Sequence, residues 1–205
     1  MSRHKQILLR HLPEGCVDAI YAYLVAHGVR FHITRNRRSK LGDYRCPQNG
    51  HDYHEISVNG DLNRYYFLLV LLHEMAHLEN FLVHHNRVLP HGHEWQEQYR
   101  RLLVEYLAHF PQDVGGLIGR YVKRIPLNRS VGKQIEATLH KYDSDYDPER
   151  DLLLRDLPMG SHFVVKTRPN MELRVEEKRR TRYRCTDVHT GAAYLVAGDA
   201  PVVKC

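Results

Sequence analysis

Residues 65–72 (YYFLLVLL) form an apolar run with no polar face. A helix that is apolar all round belongs in an interior, so the run predicts a buried central helix, with Asn63 or Asp61 as its N-cap. Upstream, Leu12, Val17, Ile20, Tyr21, Leu24 and Val25 recur at helical spacing before Gly28, which predicts a helix over residues 13–26. Residues 29–34 (VRFHIT) alternate as a strand does, and residues 41–46 and 54–58 predict two more strands. The basic stretch 35–40 (RNRRSK) is expected at a hairpin tip. Past the central run, Trp95, Tyr99, Leu102, Leu103, Tyr106 and Leu107 mark the apolar face of a helix from residue 92 or 93 to 109. Two more helices are expected over 112–124 and 130–141, divided by Pro126.

The texture changes beyond residue 151. Short alternating runs at 163–166, 173–176, 181–185 and 193–196 are separated by Met159-Gly160, Pro169-Asn170, Thr190-Gly191 and Gly198-Asp199, the pattern of a small antiparallel sheet or barrel. The chain is therefore expected to divide into a domain at 1–142, an acidic, turn-rich linker at 143–151, and a small β module at 152–205. The fold class is α+β: helices on a short three-stranded sheet, followed by an all-β module.

Composition narrows the function classes. With 205 residues and 42% hydrophobic content the chain builds a core and is not of disordered type. No run approaches 18 apolar residues and the first residues lack a leader pattern, so no membrane span is expected and a cytoplasmic location is the default. Four cysteines without Cys-x-x-Cys spacing argue against a zinc ribbon and against a disulfide framework. A net charge of +6 suits a polyanion such as DNA. Its candidate contacts are Arg37, Arg38, Lys178, Arg179, Arg180, Arg182 and Arg184. On a strand Arg180, Arg182 and Arg184 share one face and Tyr183 takes the other, away from any stacking role. A solvated edge that resists strand pairing explains the same stretch equally well.

The strongest chemistry follows the central run: His73-Glu74-Met75-Ala76-His77. On a helix His73 and His77 lie one turn apart on one face, spaced to bind one Zn²⁺, and Glu74 falls beside the metal, where it can take a proton from a water. A catalytic zinc keeps three protein ligands. Spacing leaves the third open among His84, His85, His91, His93, Glu94 and Glu97. Asn80 and Val83 stand where a metzincin has its Gly and third His, which disfavours that class.

Three stretches in order resemble the SprT-like metallopeptidases: Lys40-Leu41-Gly42 followed by Ile56-Ser57-Val58-Asn59, then Leu71 to His77, then His91-Gly92-His93-Glu94-Trp95. The resemblance spans about residues 15–110. It implies a minimal zincin fold, His91 as third zinc ligand and Glu74 as general base, with His93 and Glu94 as supporting or alternative groups and Trp95 in the core. It also implies a peptidase acting on protein or peptide; the Spartan branch of the family degrades proteins crosslinked to DNA. Many members carry a Cys-rich ribbon after the peptidase domain, whereas only Cys185 and Cys205 lie in that region here. The expectation is a zinc endopeptidase acting on DNA-associated protein. The alternative is a nucleic-acid-binding protein with a structural or vestigial zinc, its fourth position filled by His93 or Cys46.

Overall fold

The computed structural model describes residues 3–37, 39–48, 52–123, 129–148 and 151–205. Arg38 and Pro126, both singled out above, lie outside them. The chain divides into two compact units, Met1–Asp143 and Ser144–Cys205.

The first unit opens with a helix that the sequence pattern did not predict, α1 (Arg3–His11), before α2 (Val17–Ala26). Its residues are mostly polar or basic, and only Leu8 on its buried side and Leu12 just beyond it are fully buried, with Ile7 packed partly against the core. Two anchors are too few to register as a helical period. Three strands follow: β1 (Arg30–Thr34), β2 (Gly42–Arg45) and β3 (Glu55–Asn59). Their order in the sheet is β1-β3-β2, with β1 parallel and β2 antiparallel to β3.

That order corrects the hairpin expected at residues 35–40. β1 and β2 are not neighbours, so the connection crosses the end of β3 instead of turning back on itself. The crossing is tied down by Asn59, which is fully buried. Its Oδ1 accepts from Thr34 Oγ1 at 3.0 Å and Arg37 Nε at 2.9 Å, and its Nδ2 donates to the Arg37 carbonyl at 3.2 Å. Because the crossing sets where β2 begins, this clamp also sets the position of the sheet's open edge.

The central helix is α3 (Arg64–His84). Of the two candidate caps it uses Asn63, whose Oδ1 accepts from the backbone N–H of Tyr65 at 3.1 Å and of Tyr66 at 3.0 Å. Phe67, Leu68, Leu71, Leu72, Met75 and Leu78 are fully buried, each contributing roughly 1.5–3 kcal/mol of burial. Against expectation, α3 is long and apolar enough to cross a membrane by length and composition, since an 18-residue window reaches a mean hydropathy of 1.2. The tally of consecutive apolar residues missed this because His73, Glu74 and His77 interrupt the run without making the helix polar on average. Sixty-one per cent of that window is buried within the protein, as in a core helix. α4 (His93–Glu105) packs on α3, and α5 (Gln112–Tyr121) pairs with α6 (Arg129–Leu139), which touches α3.

The second unit is an antiparallel sheet of β4 (His162–Val165), β5 (Arg168–Lys178), β6 (Arg182–Asp187), β7 (Ala193–Ala197) and β8 (Val202–Lys204), in the order β7-β6-β5-β4-β8. Phe163, Leu173, Val175, Tyr183, Cys185 and Val202 form its own core with Leu154 and Leu157. β8, three residues long, was too short to be read from the sequence.

Candidate metal centre

His73 and His77 leave α3 on the same face, as i and i+4 must. The third imidazole comes from the turn before α4. His91 adopts φ 60°, a left-handed conformation that a non-glycine residue holds only when its surroundings impose it. Those surroundings are Gly92, whose N–H donates to the Leu89 carbonyl at 2.9 Å, and Gln96, whose Nε2 donates to the His91 carbonyl at 3.0 Å. A Cβ at Gly92 would sit 2.9 Å from that same Leu89 oxygen, so the turn excludes a larger residue.

The result is convergence. Nε2 of His73 lies 3.3 Å from Nε2 of His77 and 3.0 Å from that of His91, and the last two are 3.0 Å apart. Burial, with each imidazole disfavouring charge on its neighbours, lowers the His73 pKa to about 3 and that of His77 to about 4; burial also lowers His91. All three rings are therefore neutral at pH 7. A ring nitrogen that carries its proton has no lone pair left to accept with, so three Nε2 atoms cannot satisfy all three close contacts, and two protons or two lone pairs face one another unless a cation lies among them. Tetrahedral bonds of about 2.1 Å put ligand nitrogens about 3.4 Å apart, close to the spacing here. The donor set fits a small ion that accepts nitrogen ligands.

Behind the rings lies Trp95, 4% exposed, with ring centroids 4.6 Å from His73, 5.2 Å from His77 and 4.6 Å from His91. Tyr99 stacks on it at 5.0 Å. Tyr44 lies parallel to His77, 2° between planes, and its hydroxyl is 2.9 Å from His54 Nδ1. Sequence reasoning placed Trp95 in the core without seeing that it backs the three imidazoles. The signal available was its position four residues after His91.

Glu74 is 6% exposed beside the triad. Burial, helped by the Asp43 carboxylate, raises its pKa to about 8, against the pull of Arg37, Lys40 and a hydrogen bond from the Tyr44 backbone N–H. That bond follows from sheet pairing. Asn59 N–H donates to Leu41 O, so the next bonded pair is Asp43 with Ser57, and the backbone groups of Gly42 and Tyr44 point out of the open edge of β2. Gly42 permits the approach: a Cβ there would collide with the Glu74 carboxylate and lie 2.8 Å from both Glu74 Cγ and Val70 Cγ1. The site opens into a cleft of about 600 Å³ running from Gly42 past Tyr44 and Cys46, with Asn80 and Phe81 on the α3 side.

The other candidates stay outside the triad, although Cys46 and His85 line the same cleft. Among the described residues only His73, His77 and His91 form a group whose ligand atoms converge; His84, His85, His93, Glu94, Glu97 and Cys46 do not join it. His93 is exposed at the start of α4, and Glu97 pairs with Arg100. Arg37 is turned inward, with Nη1 donating to Ser57 Oγ at 3.2 Å and Nη2 buried without a partner, so it does not serve as the exposed polyanion contact expected of it. Arg180, Arg182 and Arg184 are exposed, Lys178 lies over the Tyr183 ring at 6.0 Å, and Arg179 pairs with Glu177 at 3.5 Å.

Residues 19–114 match the family model described as SprT-like. Over this segment, a little under half of its length, the chain is similar to the SprT-like family. The match begins in α2 and ends in α5, so it takes in all three sheet strands, the central helix and the turn carrying His91. SprT-like proteins are of metallopeptidase type, in keeping with a histidine triad suited to a metal. The second unit lies wholly outside the match. No curated protein and no solved structure matches the chain.

Proposed function

We propose that this SprT-like chain is a zinc-dependent endopeptidase of minimal zincin architecture. The observation that carries the reading is the convergence of three imidazole nitrogens next to a buried carboxylate, at one end of an open cleft. His73, His77 and His91 hold the ion. When bound, zinc supplies Lewis acidity, making water a stronger acid and a carbonyl a better electrophile. Beside a bound dication the Glu74 pKa falls from its metal-free value of about 8, leaving a carboxylate that accepts the proton of the attacking water and hands it to the departing amine. The hydrogen bond from Tyr44 N–H fixes the carboxylate's orientation, and Gly42 makes room for it. The open edge of β2 aligns the substrate main chain beside the triad as an added strand.

The substrate class is unfolded or extended protein. We propose DNA-associated protein as its source, on the strength of the +6 charge and the exposed arginines of β6. The alternative of a structural zinc requires a fourth side-chain ligand, and neither Cys46 nor His93 joins the triad. The test is turnover of a casein-type substrate and of a DNA-linked protein, with zinc content measured alongside. Glu74→Gln is expected to keep zinc and lose about 10²–10⁴ in kcat; His73→Ala is expected to lose both zinc and turnover. Full activity in Glu74→Gln removes the reading. Equal rates on free and DNA-linked substrate, with or without single-stranded DNA, remove the DNA-associated part alone.

A further inference from the structure

The second unit carries a feature unrelated to the metal centre. β7 is an edge strand, paired only with β6. Asp187 N–H donates to Ala192 O, and Gly198 N–H to Thr181 O. With the register Cys185↔Tyr194 and Tyr183↔Val196, the backbone of Tyr194 and Val196 faces β6, and that of Ala193, Leu195 and Ala197 faces outward. Of these outward groups only Ala197 O takes a backbone partner among the described residues, the N–H of Ala200 at 3.1 Å. The strand, Ala193–Ala197 (AYLVA), has neither charge nor proline, and Leu195 is 52% exposed. None of the devices that blunt a sheet edge is present on it.

A groove of about 260 Å³ is lined by this strand and by the β4–β5 hairpin, through Val165, Arg168, Met171, Leu173, Tyr194 and Val196. One strand further in, Arg184 stands opposite Leu195 and Arg182 opposite Ala197, both exposed. An arginine side chain spans the ~4.8 Å between neighbouring strands and reaches toward whatever lies on β7. The acids beside them on β5 already have ion-pair partners: Glu177, opposite Arg184 in the sheet, pairs with Arg179 at 3.5 Å, and Glu176 with Arg174 at 2.7 Å.

We propose that the open edge of β7 docks an extended peptide in which apolar and acidic side chains alternate. The peptide backbone completes the hydrogen bonds of Ala193, Leu195 and the Ala197 N–H. Its apolar side chains enter the groove against Tyr194, Val196 and Met171, and its acidic ones face Arg182 and Arg184. Acidity is the requirement that distinguishes this partner from any other extended chain, since the exposed arginines lie on the solvent face and the groove itself is apolar apart from Arg168 and Thr167.

The experiment is fluorescence anisotropy on the full chain with a labelled heptapeptide of alternating Val and Glu. Three controls bracket it: the same peptide N-methylated at alternate residues, a Val/Lys counterpart, and a single-stranded oligonucleotide. Binding of the Val/Glu peptide is expected, weakened at least tenfold by N-methylation, by the Lys exchange and by Arg182→Glu with Arg184→Glu. Leu195→Pro, which removes an outward N–H and leaves the β6 ladder intact, is expected to abolish it. N-methylation tests the backbone without touching the protein, so a misfolded variant does not decide the matter. Absence of binding, or equal affinity for the N-methylated peptide, overturns the proposal. So does a surface that binds only the oligonucleotide through the same arginines, or an edge that closes on a second copy, seen as a dimer lost in Leu195→Pro.

Discussion

Two clusters of ionisable side chains stood out in this chain, and they sit in opposite environments. His73, Glu74, His77 and His91 come from two separate segments and meet at one end of a cleft in the first unit, Glu74 buried, His73 and His77 half-buried and His91 at the surface. Residues 178–184 are nearly contiguous and basic, yet in the second unit they spread along a strand end and a turn, where water solvates them. Burial changes the charge that a group carries. The imidazoles are driven neutral and the carboxylate is held protonated to unusually high pH. Chemistry follows convergence and desolvation rather than density along the sequence.

The largest effect expected from breaking that contrast is structural. Trp95→Ala removes the support behind all three imidazoles and should destabilise the first unit by about 3–5 kcal/mol, read as a fall in unfolding midpoint. Bound zinc should offset part of this, so the loss should be greatest after chelation. An unchanged midpoint would show that the triad holds itself together.

Next is Gly42→Ala. Its methyl displaces the Glu74 carboxylate while leaving the imidazoles alone, so turnover should drop about 10–100-fold with zinc content unchanged. Loss of zinc together with activity would instead mean that β2 shapes the triad.

The buried groups give the metal-free protein a distinctive response to pH. Folded-state pKa values of His73 and His77 lie below the unfolded value of 6.5, so the unfolded chain binds more protons below that pH. Their contribution is present above pH 6.5 and is lost as the pH falls toward about 3–4. Glu74 has the opposite sign. Its raised pKa favours folding below 4.5 and that contribution disappears as the pH rises to about 8. Metal-free Glu74→Gln should therefore be more stable than wild type at pH 7, by about 3 kcal/mol, with the difference closing near pH 4. Thermal unfolding from pH 4 to 8 checks both slopes.

The smallest effect sharpens the comparison from the other side. Arg182→Glu with Arg184→Glu should shift unfolding by less than about 0.5 kcal/mol and leave turnover of casein-type substrate unchanged. A large loss of stability would mean that those arginines are structural.

The sequence by itself determined what could be read locally. An unbroken apolar run made α3 a core helix, Asn63 and Asp61 offered caps for it, and the i, i+4 spacing set His73 and His77 on one face with Glu74 beside them. Alternation disclosed most strands of both sheets. Tertiary structure decided whatever depended on residues distant in the chain. Spacing left six groups open for the third position, and the choice of His91 over the other five, first suggested by family resemblance, rests in the structure on a left-handed turn held by Gly92 and Gln96. The inward turn of Arg37 depends on β3 separating β1 from β2, a pairing that no local pattern encodes. The backbone groups exposed on β2 and β7 likewise follow from strand order. Periodicity reports which face of an element is buried; which neighbour buries it is settled by the packing of the whole chain.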